Sequence, residues 1–173
     1  MDFWEAIEKR HSVRSFNANL DVAPEVVKRI LGAAILAPSA GNCQPWHFIV
    51  VRDLTVKKRL AEAAWGQRFL AEAPVVIVVC AEPARSAARY GLRGSQLYCL
   101  QDTAAATEHI LLTATALGLG SCWVGAFDEK AAAQALQLPD RLRPVAMVPI
   151  GYPLRPTDRQ TTRRELDEVV TYI

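Results

Sequence analysis

The chain lacks most of what would place it quickly. No apolar run approaches the roughly 20 residues of a membrane span, since Val75–Ala81 is far too short. The N-terminal Asp2-Phe3-Trp4-Glu5 has no basic region followed by an apolar one, so no secretory signal is visible and a cytoplasmic protein without a membrane partner is expected. Charge of neither sign dominates: 20 Lys+Arg against 18 Asp+Glu leave a net +2, which gives no argument for a nucleic-acid partner. The four cysteines, Cys43, Cys80, Cys99 and Cys122, form no CxxC pair. Their wide spacing speaks against a metal site and against a disulfide framework, and for buried thiols in a reducing compartment. No G-x-G-x-x-G follows a strand-like run, so a dinucleotide-binding domain is unsupported. No repeat, low-complexity tract or linker divides the chain, which reads as one domain, 1–173.

What is present is a soluble, globular composition: 51% apolar and 22% charged residues in 173, enough to bury a substantial core without staples. Asp2 and Glu5 form a capping-box pattern, and Phe3, Trp4 and Ile7 give the short helix behind it an apolar side. After the loop Asn17–Val22, Pro24 opens a second helix, in which Val26, Val27, Ile30, Leu31, Ala34 and Ile35 recur at helical spacing until Pro38. Phe48–Val51 reads as a strand, and about Thr55 to Ala64 as a charged helix. Val75–Cys80, bounded by Pro74 and Pro83, is continuously apolar, the pattern of a strand covered on both faces. That predicts a sheet with helices on either side.

Glu82–Gly94, with Arg85, Arg89, Arg93 and Gly91, reads as a plain insertion or a lid over a site. Ser95–Leu117 is the longest predicted helix, with small residues on several faces, hence enclosed by its own chain or by a subunit interface. Within it His109 reads as a satisfied core histidine, and Asp102, Thr103 and Glu108 as capping, bridging or interfacial groups. Gly118-Leu119-Gly120 stops the helix. Ser121–Phe127 is either a buried strand or a loop presenting backbone amides. Asp128 caps a helix through Leu136, and Val145–Ile150 is a strand broken by Gly151-Tyr152-Pro153. The tail carries Arg155, Arg159, Arg163 and Arg164 ahead of Leu166, Val169, Val170 and Ile173, a polar arm before an apolar strand that docks on this chain or on another subunit.

Two stretches carry chemistry rather than core. In Ala37–Trp46 two prolines stop the helix, Ala40-Gly41 allows close approach, and Asn42 and Gln44 each offer a donor and an acceptor, the complement of a ring edge. The competing reading is a tight helix-to-strand connection capped by Ser39 and Asn42, with Trp46 folded back as core. In Arg10-His11-Ser12-Val13-Arg14 the side chains of Arg10, Ser12 and Arg14 share one face of an extended backbone. Two guanidiniums and a hydroxyl on one side suit a phosphate, although a solvated turn with surface arginines gives the same pattern.

Taken together and in order, Arg10–Phe16, Pro38–Trp46, Gln101–Ala106, Gly118–Gly125, Ile150–Pro153 and Arg163–Leu166 resemble the flavin-dependent nitroreductase family over nearly the whole chain. The resemblance implies an α+β sandwich with a central, mostly antiparallel sheet flanked by helices, working as an intertwined homodimer with FMN at the subunit interface. It implies that Arg10 and Ser12, helped by His11, hold the phosphate and ribityl end, and that Arg14 lies near the pyrimidine edge. It further implies that Pro38, Ser39 and Ala40 approach from the partner subunit, and that Asn42 bonds the ring edge. Trp123, Val124 and Gly125 would offer backbone contacts near N5 and O4, and Arg163, with Arg164 as its neighbour, would close on the phosphate. The implied activity is ping-pong reduction of nitroaromatics, quinones or similar acceptors by NADH or NADPH. The cofactor carries that chemistry, so no protein acid or nucleophile is required, and His109 and the four cysteines stand outside the site. Relatives sharing the cradle run dehydrogenase, oxidase or reductive dehalogenase reactions, and a flavin-binding protein without turnover is the remaining alternative.

Overall fold

Side chains along Val75–Ala81 alternate between two separate cores, so this run is buried throughout its length. The computed structural model describes residues 1–155 and 161–173. In chain order its elements are α1 (Phe3–Lys9), α2 (Pro24–Ala34), a short turn Ala40–Asn42, β1 (Trp46–Val51), α3 (Leu54–Ala63), α4 (Phe69–Glu72) and β2 (Val75–Ala81). There follow α5 (Pro83–Arg93), a π-helical turn Gly94–Tyr98, α6 (Cys99–Ala116), β3 (Gly120–Ser121), α7 (Glu129–Leu136), β4 (Arg143–Gly151) and a 3-10 turn Leu166–Glu168.

The strands form one sheet in the order β1-β2-β4-β3, every pair antiparallel. Ile49 lies opposite Val78, which lies opposite Met147. On one face Val76, Val78, Cys80 and Met147 pack against Leu60, Leu70 and Ala132 of α3, α4 and α7. On the other, Val75, Ile77, Val79, Val148 and Ile150 pack against Val27 and Ile30 of α2 and Ile110, Leu111 and Ala114 of α6. Each fully buried Val or Ile contributes about 1.5–3 kcal/mol relative to exposure. A run with no polar face therefore selects the centre of a covered sheet. The α+β sandwich expected from the sequence is the observed fold.

Local signals end the helices where the sequence predicts. Asp2 and Glu5 complete a reciprocal capping box; Asp53 accepts from Val56 N, and Asp128 from Lys130 N and Ala131 N. At the end of α6, Gly118 takes φ +75° while Leu119 N donates to Ala114 O at 2.9 Å.

Glu82–Gly94, read as an insertion or a lid, forms α5, pinned to the loop Ala37–Trp46 by hydrogen bonds from Arg85 and Arg89. Two expectations are corrected. The central helix begins at Cys99 rather than Ser95, behind the π turn. The apolar tail forms the 3-10 turn instead of a strand, and Leu166, Val169, Val170, Tyr172 and Ile173 are exposed, with no cover among the described residues. Phe3 and Trp4 of α1 are likewise 64% and 70% exposed. Arg159 lies outside the described residues. Among the described residues no helix is long and apolar enough to cross a membrane, and no group of three or more His, Cys, Asp or Glu is placed to hold a metal ion.

Candidate functional site

Helix α1 ends at Arg10, whose extended backbone (φ −61°, ψ 122°) sends the chain out as a strand-like arm. Val13 is the anchor. Its N–H donates to Ser121 O at 2.9 Å, and its side chain is buried beside Phe16 and Ala73. The arm lies so close to β3 that a Cβ on Gly120 would stand 2.9 Å from that of Val13. Glycine is therefore the residue that permits this approach. With Val13 facing in, Arg10, Ser12 and Arg14 face out together. Burial pushes the pKa of the buried Cys122 thiol up, while Arg14, a hydrogen bond from Ser12 and Arg10 pull it down, so each of the three lies near enough to act on it. Arg10 also lies 3.9 Å from Glu108 on α6. His11 turns back on α1, and its Nδ1 lies 2.8 Å from Lys9 O; a carbonyl can only accept, so the ring proton sits on that nitrogen.

The parallel bridge between Ser12 and Ser121 sets this arm beside the turn Trp123–Gly125. Val124 is tied into the sheet by reciprocal bonds with Met147 at 2.9 Å, so its amide is committed. The amides of Trp123 and Gly125 have no partner among the described residues. Trp123 is 39% exposed and borders a cavity of about 280 Å³ whose wall includes Thr103 and Thr107 of α6 and Arg143 of β4. Arg143 grips Glu129 through two bonds of 2.8 Å, holding that carboxyl below its ordinary pKa.

In the loop Ala37–Trp46 the structure bears out the reading of Trp46 as core. Trp46 is folded into a small core with Ala37 and Ala106. Between them the backbone is left-handed at Gly41 (φ +55°), Asn42 (φ +55°) and Gln44 (φ +49°). Non-glycine residues in that region are uncommon and persist only where their surroundings hold them. The holding bonds are visible: Asn42 N to Ser39 O at 2.9 Å, Gln44 N to Ser39 Oγ at 3.0 Å, and Ala40 N to Asp102 Oδ1 at 3.0 Å. From α5, Arg89 Nη1 donates to Gly41 O at 2.9 Å and Arg85 Nε to Cys43 O at 3.1 Å. What approaches Gly41 is thus α5: a Cβ there would collide with Tyr90 Oη and with the Arg89 guanidinium at 2.8 Å. Pro38 and Asn42 remain exposed, Ser39 and Ala40 half-buried.

The structure therefore places Arg10, Ser12 and Arg14 on one arm that runs beside Ser121 and the turn Trp123–Gly125. Among the described residues no hydrogen bond or ion pair joins the loop of Ser39, Ala40 and Asn42 to those three. Arg163, among the described residues, bonds its neighbours Thr161 and Thr162, and Arg164 bonds Glu168. His109 donates from Nδ1 to Ala33 O at 2.9 Å, the satisfied core histidine expected. Asp102 is the bridging group expected, buried, with its carboxyl pushed up by desolvation and its Oδ2 without a partner. Sequence reasoning did not connect Arg85, Arg89 and Tyr90 with the loop; their spacing along one helical face was the available signal. All four cysteines are free thiols, and burial lifts Cys80 to about 12, an inert core thiol.

Comparison with known proteins follows the same lines. The model of the nitroreductase family matches residues 7–68 and 64–152. A relative from Archaeoglobus fulgidus, whose name pairs NADH dehydrogenase with NAD(P)H nitroreductase, is 42% identical over 151 residues, 85% of this chain and 83% of its own length. An NADH dehydrogenase of Thermus thermophilus is 35% identical over 181 residues, covering 88% and 87%. A crystal structure of a nitroreductase family protein from Clostridium difficile superposes with a TM-score of 0.87 at 33% identity, over 99% of this chain and 98% of that one. The chain is an oxidoreductase fold in sequence and in architecture, and it belongs to the nitroreductase family.

Proposed function

We propose that this chain is an FMN-dependent NAD(P)H oxidoreductase that reduces nitroaromatics, quinones or similar electron-poor acceptors by a ping-pong scheme, as a single-domain cytoplasmic protein working in an intertwined homodimer. One observation carries the reading: Arg10, Ser12 and Arg14 lie on an arm whose Val13 N–H donates to Ser121 O, two residues before a turn with two unpartnered amides.

The residues fit the group. A phosphate dianion needs several donors, which the two guanidiniums and the Ser12 hydroxyl supply, with His11 at the margin. A flat heterocycle needs a few directed hydrogen bonds and otherwise apolar surface. The amides of Trp123 and Gly125 and the exposed Asn42 carboxamide offer the first, while Pro38, Ser39 and Ala40 offer small, close-approaching surface. When bound, FMN would accept a hydride from the dihydronicotinamide and return the electrons to the acceptor. Arg14, beside the pyrimidine edge, would lower the cost of negative charge gathering there. Arg163 would complete the phosphate grip from the tail.

Two observations support the homodimer. Helix α6 carries the loop through Asp102 and meets the arm through Glu108, six residues on. At 3.6 residues per turn these positions differ by roughly 120° around the helix, so arm and loop sit on different sides of it, which favours a second copy supplying the missing half. Phe3, Trp4, Leu166, Val169 and Tyr172 leave apolar surface that such a partner would cover.

The test is spectroscopic: protein that carries FMN, bleached by NADH or NADPH without oxygen and recoloured by a nitroaromatic or quinone. Flavin that neither nucleotide bleaches would point to another reaction on the same cradle or to a binding protein.

A further inference from the structure

Arg85 and Arg89 lie four residues apart on one face of α5, and Arg93, beyond the non-helical Gly91, is joined to them through the paired Tyr90 and Tyr98 rings. All three are exposed, and among the described residues none is paired with a carboxylate. Like charges at this spacing disfavour a helix, so the arrangement calls for an anion. The guanidiniums are nevertheless held in place. Arg85 and Arg89 each commit one donor to the loop carbonyls of Cys43 and Gly41. Arg93 Nε donates to Tyr98 Oη at 2.9 Å. Arg89 lies 5.6 Å from the centre of the Tyr90 ring and Arg93 5.3 Å from that of Tyr98. The two rings brace each other edge to face at 5.1 Å, because the chain breaks at Gly91 and returns through the π turn. Each guanidinium is exposed and still held in position by these bonds and ring contacts.

The structural account of these residues is incomplete. Stapling the loop explains Arg85 and Arg89, but Arg93 makes no bond to the loop. The stapled loop is the one that carries Ser39, Ala40 and Asn42, so the basic face borders the proposed flavin pocket. We propose that this face of α5 receives the pyrophosphate of the NAD(P)H donor, with Arg93 a binding residue for it. The inference rests on the function proposed above. Of the two reactants only the donor carries phosphates, while nitroaromatics and quinones are uncharged there. In a scheme where both enter one pocket in turn, a cationic face outside it selects the donor by charge without holding the acceptor.

Calorimetric titration of the purified protein with ADP-ribose, the donor without its nicotinamide, reads this grip with no turnover. Wild-type protein is expected to bind, with affinity falling as salt rises. Arg93→Gln should weaken binding roughly 5- to 20-fold, the range for losing one charge-assisted contact, and Arg85→Gln combined with Arg93→Gln should weaken it further. Arg59→Gln on α3, where the side chain only reaches Gln134 O, controls for general loss of positive charge and should bind as wild type does. Absence of binding, equal affinity in Arg93→Gln, or an equal loss in Arg59→Gln would each overturn the proposal. Failure of the functional reading shows separately, as protein that holds no FMN or whose FMN the nucleotides do not bleach.

Discussion

The Asp102 carboxylate reaches across 62 residues of sequence to accept the Ala40 amide at 3.0 Å, while its second oxygen is buried without a partner. This one bond ties the strained loop to the central helix. Burial is the main cause of its raised pKa, and the Ala40 bond opposes it. A carboxyl whose pKa is higher folded than unfolded binds more protons in the folded state, so its contribution to stability is greatest below the ordinary value of 3.8 and is lost as pH rises through the folded value. Asp102→Asn keeps an acceptor for Ala40 and removes the charge. Urea unfolding from pH 4 to pH 7 should therefore show wild type losing stability relative to Asp102→Asn as pH rises; a difference that stays constant with pH would contradict this. Asp102→Ala leaves a buried N–H unpaired and should cost about 1–3 kcal/mol.

Gly41 marks the tightest approach of α5. Gly41→Ala adds a Cβ against Tyr90 and Arg89 at a left-handed φ and should cost about 2–4 kcal/mol. Removing the obstruction with Arg89→Ala should recover part of that loss, so a double-mutant cycle should give a coupling of about 0.5–2 kcal/mol. Strict additivity would mean that the helix does not press on this loop.

Lys57 is a buried cation with one visible partner, its Nζ lying 2.6 Å from Ala73 O. Desolvation lowers its pKa, with Asp21 opposing and Arg52 reinforcing the effect. A base held below its ordinary 10.5 contributes stability that is present above that value and lost as pH falls through the folded value. Lys57→Met, which keeps the stem and removes the charge, should abolish this alkaline gain in thermal unfolding between pH 8 and pH 10. A wild-type gain matched by the variant would place its origin elsewhere.

Within the cradle, Arg14→Ala should weaken FMN binding roughly tenfold, as expected for one charge-assisted contact. Asn42→Ala should change the flavin midpoint potential more than the affinity. Equilibrium dialysis and a redox titration separate the two. If both variants retained FMN with the parent's potential, the assignment of these residues would be wrong.

Sequence patterns revealed the parts governed by local rules. Val75–Ala81 has no polar face, so a strand covered on both sides follows directly; Asp2, Asp53 and Asp128 precede helices they visibly cap. The alternation of Arg10, Ser12 and Arg14 around Val13 was readable because an extended backbone has period two. What could not be read is where distant surfaces meet. Arg89 lies 48 residues from Gly41, and nothing in α5 itself says which loop its arginines will pin. Trp46 served as core and Asn42 stayed exposed within five residues, a division decided by tertiary packing against Ala106 rather than by composition. The tail is a related case: apolar residues at its end suggested a docking strand, but a strand needs an edge to pair with, and among the described residues none pairs with Leu166–Ile173.

The central claim is that the arm, the turn and the loop surround one flavin, and the visible spectrum of the purified protein tests it most directly. The account predicts a yellow protein whose colour is released on denaturation as FMN, one per chain, and is restored when FMN is added back. A colourless protein that leaves the fluorescence of added FMN unquenched at micromolar concentration would contradict it.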